Sequence, residues 1–381
     1  MQCYARRPGA GAAWDNEPAF LFQMRFSTRA ALAALLAALV LCLLGAPAAG
    51  ASALQPRGDK IFFGISDTGD SADFGAFSKL LNKHPALIES FRTWGSDFPE
   101  SIERWQDARA RPVLHITTAD NNDGHELITP QAIALGYGDD YLVRLNKLFW
   151  AKKMRAYIRP LGEPNRCINV YASYDCSGAP RDEAHRPRWY KRAFRRIYIL
   201  VHGGGKRATI DAELKEAGLR ALNSDVAGLP KAPVAVLWST LPAGSPTVPH
   251  NRPKYFYPGD DYVDWVGTDF YSDNQDWKAL NGMYRRYDSK PFALPEWGVS
   301  SGDDPGYVEH LMAWVKRHER CKMLVYYQDF GSSSPYRIQN YPASIGVLDR
   351  MIHSRRFPAF VPGHPTPPPL PPGGVAPTGR P

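Results

Sequence analysis

The stretch Arg155–Asn165, RAYIRPLGEPN, decides how the chain folds. Its apolar run Ala156–Leu161 predicts a short buried strand that stops at Gly162-Glu163-Pro164-Asn165. An ionised carboxylate is costly to bury unless it is paired or put to use, so a glutamate at the end of a buried strand needs a reason. A second stretch has the same form: in PFALPEWGVS, Glu296 follows the apolar run Phe292–Leu294. Two strand-end glutamates predict a catalytic pair of carboxylates, with Glu163 on one strand and Glu296 on another.

Outward from these two, the chain reads as eight short apolar strands alternating with helices. The strands are predicted at 60–67, 87–95, 111–119, 155–161, 232–239, 262–271, 291–294 and 323–328, and the clearest helices at 71–85, 141–154, 187–202 and 307–317. Runs such as VAVLW and MLVYY are apolar on both faces, as strands of a parallel sheet covered by helices must be. The fold class is therefore α/β, a (β/α)8 TIM barrel. An open doubly wound sheet is the competing arrangement. No G-x-G-x-x-G opens the chain, and His202-Gly203-Gly204-Gly205 follows a helix, so a dinucleotide site is not expected. There is no G-x-S-x-G elbow and no Cys/His spacing for zinc, so no cofactor and no metal are called for.

In such barrels the active site lies at the C-terminal ends of the strands. Those ends hold Asp67, Trp94, His115, Arg159, Glu163, Trp238, Asp269, Tyr271, Glu296, Trp297, Tyr327 and Gln328. This is an aromatic-rich ring around two carboxylates. It suits a glycan, which offers C–H faces to rings and hydroxyls to polar groups. A retaining glycosidase needs one carboxylic acid to protonate the leaving oxygen and one carboxylate as nucleophile, about 5–5.5 Å apart. Taken singly, Glu163 has a structural alternative as the ion-pair partner of Arg159, and Trp238 and Trp297 have alternatives as core residues.

The chain has 381 residues and a formal net charge of +8. Residues 1–53 read as a leader. The apolar run 30–44 follows Arg25 and Arg29 and precedes small residues in A-x-A spacing, the form of a secretory signal peptide whose true start is Met24. The run is short for a membrane span, so no stable membrane insertion is expected after cleavage. An uncleaved anchor is the alternative. The leader holds Arg6, Arg7, Arg25 and Arg29 against Asp15 and Glu17, which leaves +6 on the rest. The cluster RPRWYKRAFRR at helical spacing reads as a solvated helix face, and no nucleic-acid motif accompanies it. Residues 54–357 form the barrel domain, and 358–381, with HPTPPPLPPGG, read as a disordered Pro/Gly-rich tail. Cys167 and Cys176 lie in one loop just after Glu163. In an exported, extracellular or wall-associated protein they are expected to form a disulfide.

Three stretches together, IRPLGEPN, YPGDDYVDWVGTDFYS and KPFALPEWGVS, resemble glycoside hydrolase family 26, the β-mannanase family of the retaining barrel clan. The likeness runs in order from about Lys60 to Phe357. It implies that Glu163 is the acid/base and Glu296 the nucleophile, with Tyr271 hydrogen-bonded to the nucleophile. Arg159 would support an ionised carboxylate, Asn165 fits the asparagine of the family pattern, and Trp238 and Trp297 would border the sugar sites. Trp94, His115 and Tyr327 complete the expected substrate-binding set. One position departs: where the family has histidine before the acid/base, this chain has Gly162. The expected protein is a secreted, monomeric, endo-acting retaining hydrolase of a β-linked polysaccharide. By the resemblance the glycan is β-1,4-mannan; xylan, mixed-linkage β-glucan, or binding without hydrolysis are the alternatives.

Overall fold

The structure is a computed structural model and describes residues 54–362 except Phe330 and Ser332. The expected leader at 1–53 and most of the expected tail lie outside the described residues. Eight parallel strands form the centre: β1 (Phe62–Ser66), β2 (Leu87–Thr93), β3 (Arg111–Thr117), β4 (Ala156–Pro160), β5 (Val234–Thr240), β6 (Trp265–Thr268), β7 (Phe292–Gly298) and β8 (Cys321–Tyr326). They pair in sequence order, and β8 also pairs with β1, which closes the barrel.

Helices cover the outside. They are α1 (Ser71–Leu80), α2 (Pro99–Asp107), α3 (Pro130–Leu135), α4 (Asp139–Ala151), α5 (Pro187–His202), α6 (Arg207–Glu216), α7 (Trp277–Arg286), α8 (Pro305–Arg317) and α9 (Pro342–Ile352). Aspartates start several of them: Asp70 accepts from the Ala72 N–H, Asp276 from Ala279 and Asp304 from Tyr307, each satisfying a backbone donor that the first helical turn leaves open. The unit after β5 has no α-helix among the described residues. Its loop carries only 3-10 turns, at Pro249–Asn251, Pro253–Tyr255 and Asp260–Tyr262.

Strand alternation sorts the core into two layers. Phe62, Leu87, Val113, Tyr157, Ala235, Leu237, Trp265, Ala293, Met323 and Val325 fill the barrel interior. Their neighbours in sequence, such as Phe63, Ile88, Leu114, Ile158, Val236 and Leu294, pack outward under the helices. The interior is therefore an apolar plug, and only its upper rim is polar.

Four sequence expectations need correction. The seventh strand runs to Gly298, not to Leu294, so Glu296 lies within it. The sixth starts at Trp265, because Asp260–Tyr262 is a turn. The basic cluster on α5 is not wholly solvated: Arg188 and Arg192 flank Trp189 on the surface, but Arg196 is fully buried and paired with Asp139. The fold also passes the expected boundary at Phe357. Phe360 packs on His84 with ring centroids 4.2 Å apart, and Val361 joins Leu54 against the interior layer. The Leu54 carbonyl accepts from the Tyr157 hydroxyl at 2.6 Å and from Arg111 at 3.1 Å, sealing the base of the barrel.

Candidate active site

Above the plug, the inward positions become polar: Glu89 on β2, His115 on β3, Arg159 on β4, Ser239 on β5, Asp269 after β6 and Glu296 on β7. Arg159 is fully buried at their centre. Its Nε donates to Ser239 Oγ at 2.7 Å and its Nη1 to Glu89 Oε1 at 3.1 Å. Nη1 also donates to Glu296 Oε1, and Nη2 to Asp269 Oδ2. Three carboxylates thus share one guanidinium.

Three buried negative charges on one positive charge is a costly arrangement, and protons relieve it. Burial raises the Glu89 carboxyl to about 8, against the pull of Arg159 and with the help of Glu296. Burial likewise pushes Asp269 well above the usual carboxylate range, with Glu296 and Glu163 adding to the rise. With both protonated, the charge of Arg159 is left to Glu296. His115 stands 3.8 Å from Glu296 Oε1, and burial beside Arg159 holds its pKa well below the usual value, so the ring is neutral. Tyr271 donates its hydroxyl to Glu296 Oε2 at 2.9 Å. Burial and the adjacent Glu296 raise its phenol well above the ordinary value, so it remains a donor.

Glu296 reaches this position through an irregularity. Leu294 is opposite Leu324, but Trp297 is opposite Tyr326, so β7 carries one residue more than β8 over this interval. A bulge of this kind reverses the inside–outside parity of the strand beyond it. Glu296 faces the barrel mouth, and Trp297 turns outward into the helix-covered core, edge-on to Tyr326.

Glu163 arrives differently. β4 has already ended, and both Leu161 (φ +50°) and Glu163 (φ +52°) take the left-handed conformation that side chains disfavour. Three hydrogen bonds hold this turn: Tyr171 Oη to Gly162 O at 2.6 Å, the Glu163 N–H to Ser239 O at 3.1 Å, and Asn169 Nδ2 to Glu163 O at 2.9 Å. Glu163 Oε2 accepts from Arg166 Nη1 at 2.8 Å. Asp269 lies in hydrogen-bonding range of Glu163. Glu163 Oε1 and Asp269 Oδ1 are both buried, and no other side chain of the protein bonds to either.

Glu163 and Glu296 line one cavity of about 310 Å³, with Tyr271, Tyr327 and Tyr336 on one wall and Leu241, Pro242 and Ser245 on another. A disulfide joins Cys167 to Cys176 in the loop beyond Glu163, and that loop is tied to the β5 loop by the Cys167 N–H on Ser245 O at 2.7 Å. Two carboxylates at one cavity, one held by Arg159 and Tyr271 and the other beside a proton-bearing aspartate, provide a base and an acid on the same bound molecule.

The same fold occurs in several solved structures. GH26A from Muricauda sp. MAR_2010_75 is 14% identical over 81% of this chain and 94% of that chain, with a TM-score of 0.51. The family 26 β-mannanase of Bacteroides ovatus is 15% identical over 81% and 93%, with a TM-score of 0.53. The modular endo-β-1,4-mannanase of Cellulomonas fimi is 14% identical over 80% and 73%, with a TM-score of 0.54. At such identities the likeness is one of fold. No curated protein sequence matches the chain. Residues 237–320, from β5 to the loop before β8, match the model of glycosyl hydrolase family 26. Over these residues the chain is similar to glycosyl hydrolase family 26.

Within this barrel, the structure gathers Glu163, Glu296, Arg159, Tyr271, His115 and Tyr327 around one centre. It places the other expected sugar contacts elsewhere. Trp238 is fully buried between Tyr257 and Tyr287, outside the barrel wall. Trp297 points away from the mouth because of the bulge. Trp94 packs on Tyr141 beneath Gly138. Asn165 is a brace and not a substrate contact: its side chain holds the Leu241 N–H and C=O, both at 2.9 Å. Among the remaining strand-end residues, Asp67 pairs with Arg104 and Gln328 with Gln339. The sequence reading assigned no part to Glu89 or Arg166. Glu89 carried the same clue as Glu163, a carboxylate inside an apolar strand, LIESF. For Arg166 no sequence pattern exists, because its contact depends on the left-handed turn.

Proposed function

We propose that this chain is a glycosyl hydrolase of family 26 that cuts a β-linked polysaccharide internally and with retention of configuration, with β-1,4-mannan as the first substrate to test. The observation that carries the reading is the placement of Glu163 and Glu296 on one cavity. Glu163 donates a proton to the glycosidic oxygen as Glu296 attacks the anomeric carbon, and the bond to the leaving sugar breaks. The glycosyl-enzyme is then opened by water, with Glu163 now accepting the proton. Arg159 and Tyr271 hold Glu296 on both oxygens, so it is oriented before substrate arrives. Mannan is supported by the β-mannanases named above, whose fold this chain shares.

The reading includes export. A disulfide beside the active site suits an oxidising compartment, and residues 1–53 have the form of a leader. No helix among the described residues is long and apolar enough to cross a membrane. Amino-terminal sequencing of the exported chain checks this part; a start before Met24 would overturn it.

Reducing-end release is to be measured on mannan, xylan and mixed-linkage β-glucan for the wild type, Glu296→Ala and Glu163→Gln. The expected outcome is release from mannan by the wild type and a loss of at least about 10³-fold in each variant. NMR of the first product is expected to show the β-anomer. An inverted product, or a Glu296→Ala enzyme with full activity, would overturn the assignment.

A further inference from the structure

A second depression of about 440 Å³ opens on the other side of the β5 loop, between that loop and α7. Pro242 lines both it and the catalytic cavity, so the two meet along one edge. Its rim carries four exposed cations, Arg252, Lys254, Lys278 and Arg286, against one carboxylate, Asp276. Among the described residues none of the four makes an ion pair; Lys254 only lies over the Tyr255 ring. Asp276 is engaged as the cap of α7. The floor is apolar, with Pro242, Ala243, Met283 and Tyr287.

The groove is built before any ligand arrives. Asn165 clamps Leu241, and Asn251 Nδ2 donates to Asn165 O and Pro246 O, both at 2.9 Å. Gly244 (φ +87°) lets the loop pass within contact of the Asn251 carbonyl, where a Cβ would sit 2.4 Å away. The catalytic cavity offers no such free cations. Glu163, Asp269, Asp273 and Glu296 line it, and its one cation, Arg166, is engaged with Glu163.

We propose that the groove binds carboxylate groups on the polysaccharide that the cavity cuts: a chain neutral at the scissile sugar and bearing uronates, in the backbone or as branches, a few residues away. This rests on the glycan-hydrolase reading. Unpaired arginine and lysine at a rim recognise carboxylates, and an apolar floor receives the C–H face of a sugar ring. At the point of cleavage the cavity's one lining cation, Arg166, is already engaged with Glu163, so a uronate there finds no partner. Continuity with the cavity and confinement to one pocket favour a glycan over a nucleic acid, which needs an extended basic stripe.

The test uses the full chain, a neutral β-1,4-mannan, and the same mannan partly oxidised at C6 to uronate. The expected kcat/KM is about tenfold higher on the oxidised chain at low salt, three exposed pairs each contributing a few-fold. The advantage is expected to fall away in about 0.5 M salt. In the triple variant Arg252→Gln, Lys278→Gln, Arg286→Gln it should vanish, with the rate on neutral mannan within about twofold of wild type. Equal rates on both chains, or an advantage that survives the triple variant, overturn the inference while the hydrolase reading stands. Should neither chain be cut, the mannan reading fails and calorimetry with neutral and oxidised oligosaccharides decides: equal binding overturns the groove, and tighter oxidised binding lost in the variant supports it. Single-stranded DNA held more tightly than the oxidised oligosaccharide, and released by the same variant, would assign the groove to nucleic acid and overturn it.

Discussion

The loop after β4 and the middle of β7 each deliver one glutamate to the same cavity by opposite devices. On β4 the strand ends at Pro160, and two left-handed residues swing Glu163 back over the mouth. On β7 the strand never ends before its glutamate; an extra residue reverses its parity and points Glu296 inward. The first device stores backbone strain and relies on outside hydrogen bonds. The second keeps the ladder and relies on register. A glutamate that must approach a leaving group suits the loop, and one that must stay oriented on a carbon suits the strand. Arg159 joins the two: it sits on β4, four residues before Glu163, and grips Glu296 across the barrel.

Breaking that junction should have the largest effect. Arg159→Met leaves Glu89, Asp269 and Glu296 buried without their shared cation. Removing one partner of a buried ionic cluster costs roughly 3–5 kcal/mol, so the urea midpoint should drop accordingly, with activity lost even where the barrel remains folded. A midpoint equal to that of wild type would show that the guanidinium does not hold the rim together.

Gly162 tests the β4 side alone. A Cβ there would lie 3.0 Å from Arg159 Nε and Nη2, and the guanidinium is held by Ser239, Glu89, Glu296 and Asp269, so it cannot give way freely. The histidine that the family resemblance places here has no room beside this arrangement of Arg159. Gly162→Ala should cost about 1–2 kcal/mol and lower kcat several-fold while KM changes little. A variant with unchanged kcat would mean that Arg159 moves without disturbing Glu296, and that the two devices are independent.

The same contrast explains what the sequence could reveal. The eight strands were legible because burial on both faces leaves an apolar run that periodicity detects. Glu163 and Glu296 were legible because a carboxylate in such a run stands out. The bulge was not, since nothing in FALPEWG counts the residues of the facing strand. That one uncounted residue turns Trp297 from an expected sugar platform into a core side chain. Trp238 failed as a platform by plain alternation, without a bulge: it follows Leu237, which faces inward. The cluster around Arg159 joins β2, β4, β6 and β7, and such a meeting is set by register around a closed sheet, which no local pattern carries. The disulfide pairing and the long helix α5 are local, and the sequence placed both.

Glu89 offers the smallest and sharpest test, because it touches the β7 device only through Arg159. Its carboxyl is raised from 4.5 to about 8, chiefly by burial. The folded state therefore holds a proton that the unfolded chain releases near the ordinary value. The stabilisation from that proton is complete below about pH 4.5 and is lost as pH climbs through about 8, with a slope of at most about 1.4 kcal/mol per unit. Glu89→Gln keeps the neutral shape and removes this contribution. Its urea midpoint should match wild type near pH 4 and exceed it at pH 8, while Asp269, raised in the same direction, leaves a residual slope in both proteins. Parallel pH profiles for the two proteins would mean that Glu89 is charged throughout, and that Arg159 divides its charge between β2 and β7 instead of giving it to Glu296.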